Sequence, residues 1–454
     1  MADHPPTGRS LWVDISTLQG WKGNPTGIAR TLGQLVRHWH ADPTLPLRFC
    51  ARDPNTGAYQ AVDWQPPELA PASQGEEEPE IRRGEETPAG MGRSSRVPSE
   101  WLEARWHLQQ AGRNLGRLGK AVLNRAYSLG RKACVPLRRP APAPDFQPDD
   151  VLFLAGAGWK DSPGPHVCQD LRKRGVRIVQ IIYDITPLRC PYWCAPGLTR
   201  AMEAWLPGVL AHSDRILTIS QYSRKDLQAY SEKKRLPHPP IDVIRLGDEP
   251  GRTDDGPSPM ELPGSAAGPF ALYVSTLGLN KNHALLFDVW RRLIDRHGPR
   301  VPTLVLVGQP GWKGEQTLHE LASDPILNRH ICHLPRTNDR QLRWLYRRCL
   351  FTLYPSHYEG WGLPVAESLA SGKACICSNA SSLPEVGGNL VDYHDPMDGI
   401  GCYHLVEKAM REPGWLRERE QRIRREYRPY SWAESARVTR DLLDPTSAAM
   451  PAIR

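Results

Sequence analysis

The chain predicts an α/β fold built as two doubly wound domains in series, and three observations carry that expectation. Its 454 residues exceed what one hydrophobic core usually serves. Short apolar runs alternate with helical patterns in both halves, which implies parallel sheets covered by helices on both faces. Between Leu246 and Pro269 a stretch rich in Asp, Gly, Pro and Ser interrupts the alternation, which restarts beyond it.

Taken in order, Leu11–Ile15 reads as a short strand, followed by a loop holding Gly20, Gly23, Pro25 and Gly27 and a helix from Gly27 to Trp39. Further strands are expected at Asp150–Ala155, Arg177–Asp184 and Arg215–Ile219, giving a parallel sheet. Past the interruption come a strand at Phe270–Val274, a helix at His283–Arg296, a strand at Thr303–Val307 and a loop with Gly308, Gly311 and Gly314. The apolar run Leu350–Tyr354 stops at Pro355 as a buried strand would. A Gly-rich loop follows, Pro364 suits the first turn of a helix, and Gly372 ends that helix. A last helix spans Ser431 to Leu443. The expected boundaries are a first domain at 10–247, a connector at 248–268, a second domain at 269–428 and a closing helix at 429–444.

The region 65–148 reads as an insertion in the first domain. Pro66 to Gly92 is rich in Pro, Gly and Glu, and Pro136 to Pro148 is proline-rich, so both read as flexible linkers. Between them, Trp101 to Arg139 holds nine Lys or Arg against one acid, Glu103, and so accounts for the whole net charge of +8. Leu108, Ala111, Leu115, Leu118, Val122, Ala126 and Leu129 recur at helical spacing, with Arg113, Arg117, Lys120 and Arg131 on the opposite side. A basic amphipathic helix suits an anionic membrane surface, or equally a solvated helix packed on the first domain. Nucleic acid is disfavoured, because aromatic residues are not interleaved with the charge beyond Trp101 and Trp106.

Ten cysteines are scattered without zinc-site spacing: Cys190-x3-Cys194 and Cys375-x-Cys377 lack partnering histidines. No metal site is expected. Met1 to Ser10 has no apolar signal core and no run of 18 apolar residues occurs, so the expectation is a cytoplasmic protein with reduced thiols, held at the inner face of the cell membrane if the basic helix docks there.

Function is concentrated in Tyr354-Pro-Ser-His-Tyr-Glu359-Gly360-Trp361-Gly362-Leu363-Pro364-Val-Ala-Glu367. Two carboxylates eight positions apart, Glu359 in the loop and Glu367 in the first helical turn, flank a glycine-rich backbone. Gly360 and Gly362 let N–H groups approach a ligand, and a helix start adds unpaired donors. Carboxylates repel a bare phosphate but accept hydrogen bonds from hydroxyls, so the site suits a sugar joined to a phosphate. The same pattern also fits a helix capped by acidic residues.

This stretch, with Ser368-Leu-Ala-Ser-Gly372 and Ser382-Leu-Pro-Glu385-Val-Gly-Gly388 after it, resembles the Glu-x7-Glu signature of the group 1, family 4 retaining glycosyltransferases of GT-B fold, polysaccharide-type. That fold is two Rossmann-like domains facing a cleft. The resemblance implies that Glu359 and the N–H groups of Gly360, Trp361, Gly362 and Leu363 hold the donor sugar, and that Glu367 holds the ribose. Thr26-Gly27-Ile28-Ala29-Arg30 resembles the family's phosphate-approaching glycine loop. Tyr183-Asp184 resembles its strand end before an acceptor loop, where Asp184 could orient an acceptor hydroxyl or cap the next element. Ser220-Gln-Tyr-Ser223-Arg224 resembles a following Ser-x-x-Ser element. Asn280-Lys281-Asn282 resembles the motif whose Lys contacts the diphosphate.

The chain departs from the family there, with Asn280 in place of Arg and Ser275-Thr276 where many members carry Gly-Arg. Arg30, Arg224 and Arg336 are the candidates for the missing cation. His330-Ile-Cys-His-Leu-Pro335, with Asp339, Leu342 and Tyr346, resembles the base-holding strand and helix. Gly308-Gln-Pro-Gly311-Trp312-Lys313 resembles a loop of polysaccharide enzymes, often mannosyltransferases, and makes GDP-mannose the first donor to consider.

What this implies is retaining transfer of a sugar from a nucleotide sugar to a glycan or lipid-linked acceptor, without metal or other cofactor, with Lys281, Glu359 and Asp184 as the catalytic set. Three alternatives stand beside it: a glycoside hydrolase, whose two carboxylates would flank a bond, a nucleotide-sugar epimerase of the same fold, and a non-catalytic lipid-binding or scaffold homologue.

Overall fold

The computed structural model describes residues 9–19, 27–53, 56–66, 142–161, 165–249, 262 and 268–444. The loop residues Gly20, Gly23, Pro25 and Thr26, most of the connector, and the basic segment with Arg113, Arg117, Lys120 and Arg131 lie outside the described residues. Both sheets described below belong to one compact unit, formed by residues 1–66 and 143–454.

Among the described residues the first sheet has seven strands: β1 (Leu11–Asp14), β2 (Leu47–Arg52), β3 (Tyr59–Val62), β4 (Val151–Leu154), β5 (Arg177–Ile181), β6 (Arg215–Thr218) and β7 (Ile241–Val243), in the order 3-2-1-4-5-6-7. The second has six: β8 (Phe270–Val274), β9 (Thr303–Val307), β10 (Ile331–Leu334), β11 (Thr352–Tyr354), β12 (Cys375–Ser378) and β13 (Asp392–His394), in the order 10-9-8-11-12-13. Central strands such as β4, β9 and β12 are buried along their whole length. Continuous apolar runs are what a parallel sheet covered on both faces requires.

The two-sheet α/β architecture expected from the alternation is the one observed. One element corrects it. The first sheet is not wholly parallel, because β3 returns antiparallel on β2, pairing Phe49 with Val62 and Arg52 with Tyr59. Neither strand carries a clean apolar run, since β2 includes Arg48 and Arg52 and is buried only at Phe49–Ala51, while β3 is buried only at Tyr59. An edge hairpin half open to water leaves a weaker pattern than a central strand.

Two buried devices hold the sheets' frame. Asp150, at the head of β4, accepts hydrogen bonds from Ser10 N at 2.7 Å and Trp12 Nε1 at 3.0 Å, which ties β1 to β4. The helix Trp432–Leu443 packs on the first sheet's Gly27–His40 helix, where Trp39 Nε1 donates to the Ala436 carbonyl at 2.9 Å. Ser435 Oγ donates to Arg245 O at 2.7 Å, and Arg440 pairs with Asp42 at 2.7 Å. Gly247 leaves room for this packing, since a Cβ there would stand 2.5 Å from the Trp432 ring.

Candidate active site

Strand order reverses twice, between β1 and β4 in the first sheet and between β8 and β11 in the second. At such a point the loops leaving the two neighbouring strands diverge, and the crevice between them is where ligands of open α/β sheets bind. The loops after β8 and β11 carry Lys281 and Glu359, whose side chains meet at 2.6 Å with 15% and 11% exposure.

The β11 loop is held by its backbone. Ser378 Oγ donates to Ser356 O at 2.5 Å, Glu359 N donates to Ser381 Oγ at 2.8 Å, and Ser382 Oγ donates to the carbonyls of Glu359 and Trp361 at 2.9 and 2.8 Å. Gly362 has φ of +125°, and a Cβ would lie 2.6 Å from Leu383. Only glycine meets both conditions, and the helix Leu363–Ala370 starts directly after it.

The β8 loop is clamped to the β11 loop. Lys281 ends a short 3-10 turn, and its carbonyl accepts from Tyr273 OH at 2.6 Å. Asn282 takes a left-handed φ of 58° and sends its amide to the carbonyls of Pro355 at 3.1 Å and Pro396 at 2.8 Å. His357 N donates to Asn280 O at 2.9 Å. A residue that tolerates the left-handed region and carries a side-chain donor is needed at position 282, and Asn supplies both. The Gly308–Gly314 loop braces the other side, with Gly311 N on Leu277 O at 2.7 Å.

The first sheet supplies the facing wall. Arg30, in the Gly27–His40 helix, pairs with Glu367 at 2.6 Å, and Tyr346 OH donates to the other Glu367 oxygen at 2.9 Å. Backbone at Gly360 abuts the β5 loop so closely that a Cβ would lie 2.9 Å from both Asp184 Oδ2 and Tyr183 O. Ser223 Oγ reaches Tyr183 O at 3.0 Å and Gly360 O at 3.3 Å. Glu385 accepts from Gln221 N and Tyr222 N at 2.7 and 2.6 Å, capping the Gln221–Lys234 helix from the opposite half. Tyr358 OH donates to Asp226.

Burial raises the Asp184 carboxyl above its ordinary range, against the hydrogen bonds from Thr186, while Glu359 adds to the rise and Lys281 opposes it. His283 is pushed down to about 3, chiefly by burial and then by Lys281 and His333, so it is neutral beside the lysine at pH 7. Burial also lifts the Tyr346 phenol well above its usual value, which keeps it a neutral donor to Glu367.

The sequence candidates therefore divide. Lys281, Glu359, Gly360, Gly362, Leu363 and Asp184 fall on the loops that meet at the crevice. Glu367 is in contact with Arg30, yet it is the fifth residue of the helix that starts at Leu363, beyond the first turn where it was expected. That start comes one residue ahead of Pro364 because Gly362 serves as the cap. Trp361 is buried, and its indole N–H has no protein acceptor among the described residues. Gly27 opens its helix with φ of +52° and open space around it. Of the three arginines considered for phosphate, Arg30 is engaged by Glu367, Arg224 stands one turn into the helix that Glu385 caps, and Arg336 is exposed past β10.

Sequence reasoning assigned no role to Glu385, Ser381, Ser382, Asn282, Tyr358 or Asp226. Their task is to join loops distant in the chain, which no local pattern announces. Tyr346, on the helix Asp339–Arg348, adds a hydroxyl contact to Glu367 that the sequence does not announce.

Two sheets whose switch-point loops face each other, with paired Lys–Glu and Arg–Glu groups beside glycine backbone, are the arrangement of a glycosyltransferase of GT-B type. The family signature described as glycosyl transferases group 1 matches residues 264–394, which contain Lys281, Glu359 and Glu367. The chain is similar to O-antigen chain mannosyltransferase B of Escherichia coli, 31% identical over 263 residues that cover 56% of this chain and 67% of that protein. It is also similar to serotype-specific mannosyltransferase WbdA of Escherichia coli, 28% identical over 49% of this chain but only 28% of that protein. Among solved structures, sucrose-phosphate synthase from Thermosynechococcus elongatus shares the fold over 96% of this chain and 98% of that one, with a TM-score of 0.58 at 14% identity. The chain belongs to the group 1 glycosyl transferases.

The tight approach at Gly360 makes a prediction. Gly360→Ala should push the Glu359 loop away from Asp184 and lower glycosyl transfer by about a hundredfold, the cost expected of a displacement near 1 Å. The melting temperature should change little. Transfer within threefold of wild type would show that this contact does not set the site's geometry.

Proposed function

We propose that the chain moves mannose from a nucleotide sugar, GDP-mannose first among candidates, to a glycan or lipid-linked acceptor in cell-surface polysaccharide synthesis, with retention at the anomeric carbon and without a metal. The observation that carries this reading is the Lys281–Glu359 pair at the β8/β11 switch point, set beside the backbone of Gly360 to Leu363 at a helix start. The two mannosyltransferase relatives support the choice of sugar and of a polysaccharide acceptor.

In this reading the donor's diphosphate draws Lys281 to itself and frees Glu359 to accept hydrogen bonds from the sugar hydroxyls. Glu367, aligned by Tyr346 and Arg30, takes the ribose hydroxyls. As the anomeric C–O bond breaks, negative charge grows on the diphosphate, where Lys281 and the loop N–H groups stabilise it. The acceptor hydroxyl enters on the face the diphosphate leaves, forms the new C–O bond and passes its proton to the departing phosphate. Asp184 orients that hydroxyl, and closure of the two halves excludes water that would otherwise hydrolyse the donor.

Lys281→Ala and Glu367→Ala should each lower transfer by about a hundredfold or more while the fold persists, since lost charge-assisted contacts at a transition state cost several kcal/mol. The measurement is transfer from GDP-, UDP-, ADP- and dTDP-sugars to an oligosaccharide, with the product's anomeric configuration read by NMR. Near-normal rates in both variants, or release of sugar without any acceptor, would overturn the reading.

Lys281 and backbone N–H groups, rather than a metal ion, are proposed to neutralise the diphosphate, so activity should survive EDTA. Turnover lost with EDTA and restored by Mn²⁺ or Mg²⁺ would reveal a cation site.

Peripheral membrane contact through Trp101 to Arg139 is part of the proposal, supported by that segment's excess of eight positive charges. Anionic lipid attracts each basic residue near its surface by about 1 kcal/mol, an effect that fades with salt. Exchanging Arg113, Arg117, Lys120 and Arg131 for Gln should weaken pelleting with phosphatidylserine-containing liposomes and slow transfer to a lipid acceptor, leaving a short soluble acceptor nearly unaffected. Equal pelleting of the two proteins at low salt would remove the membrane role.

A further inference from the structure

One group of side chains beside the crevice is unused by this reading. The loop that leaves Asp184 runs through a short 3-10 turn, Pro191–Trp193, before the long helix Pro196–His212. Tyr192 is 67% exposed, unusual for so large a ring. It packs edge-on against Trp193, with ring centroids 4.7 Å apart at 67°. Trp193 in turn lies flat on His357, with centroids 4.6 Å apart and planes within 11°.

His357 ties this group to the chemistry. Its amide is fixed on Asn280 O, next to Lys281, and Glu359 follows two residues later. The aromatic group is thus assembled from the same two loops that bring Asp184 and Glu359 together. Burial lowers the His357 pKa, so the imidazole is neutral at pH 7 and the Trp193 stack needs no counter-charge.

We propose that Tyr192 and Trp193 form an aromatic ledge that receives the sugar ring of the acceptor adjoining the one being glycosylated. A pyranose presents a face of C–H groups that packs on an aromatic ring, while the hydroxyls at its edge stay in water. An exposed ring with a polar tip at the mouth of a polar crevice suits such a ligand, since Tyr and Trp join an apolar body to a hydrogen-bonding end. The position of the ledge, on the Asp184 loop and against the Glu359 loop, places it on the acceptor's path. The inference rests on the transferase reading above and adds to it the residues that select for an oligosaccharide over a single sugar.

The test uses the full-length protein and a soluble mannose oligosaccharide series from one to four units. Tyr192→Ala should raise the KM for di- and longer acceptors by about five- to tenfold, the effect of one lost aromatic contact. It should leave the KM for the single sugar, the KM for the nucleotide sugar and the donor-induced rise in melting temperature unchanged. Tyr192→Phe, which keeps the ring, should stay within about twofold of wild type. Trp193→Phe, which keeps a stack on His357, should fall between the two. An oligosaccharide KM unchanged in Tyr192→Ala overturns the ledge while wild-type transfer stands. So does a defect seen only with lipid-linked acceptors, which would assign Tyr192 to the lipid. A wild-type protein that transfers to no acceptor at all overturns the transferase reading and the ledge with it.

Discussion

The approach of Gly360 to the β5 loop is the constraint on which the site depends. Backbone from the second half reaches to within a Cβ's width of Asp184 and Tyr183, and Ser223 bridges the carbonyls of Tyr183 and Gly360 from the third side. Because Gly360 is the residue after Glu359, that one junction decides how far Asp184 stands from the Lys281–Glu359 pair. A side chain at position 360 would wedge the halves apart, and the groups contributed by the two sheets would no longer act on one ligand. The Glu385 cap and the Tyr358–Asp226 bond tie the same Gln221–Lys234 helix to the second half and support this junction.

Among the described residues, Lys281 and Arg30 are each paired with a carboxylate of the site, Lys281 with Glu359 and Arg30 with Glu367. Half-buried charges need partners, because an isolated charge taken from water costs far more than a paired one. In the proposed reading a ligand that carries phosphate and hydroxyls takes apart only the Lys281–Glu359 pair and leaves neither charge unmatched: phosphate replaces the carboxylate at Lys281, and hydroxyls replace the ammonium at Glu359. In that reading the arrangement suits a nucleotide sugar in a way that a site with lone cations would not. Tyr346, kept neutral by burial, holds Glu367 in register throughout.

Legibility in the sequence followed the strength of local patterns. Phe270–Val274 and Thr303–Val307 were readable to the residue, because buried parallel strands are unbroken apolar runs. The β2–β3 hairpin was not, because an edge strand alternates with charge and its partner is found by pairing rather than by pattern. Glu359, Gly360, Gly362 and Lys281 were readable, since a Gly-rich loop between strand and helix is itself a local signal. Asn282 lay inside a recognised motif, yet its task of tying the β8 loop to Pro355 and Pro396 depends on neighbours more than seventy positions away.

By itself the sequence determined two α/β halves, the strands that make their cores, and the loops on which the polar chemistry sits. These are consequences of hydrophobic periodicity and of backbone conformations that only glycine or proline permits, and such signals act within a dozen residues. Only the tertiary structure decided which charges meet: that Glu359 takes Lys281 and Glu367 takes Arg30, that Gly360 lies on Asp184, and that Trp193 stacks on His357. Each of those pairs joins residues far apart in the chain, and their separation in space is set by how the sheets pack, which no local pattern encodes.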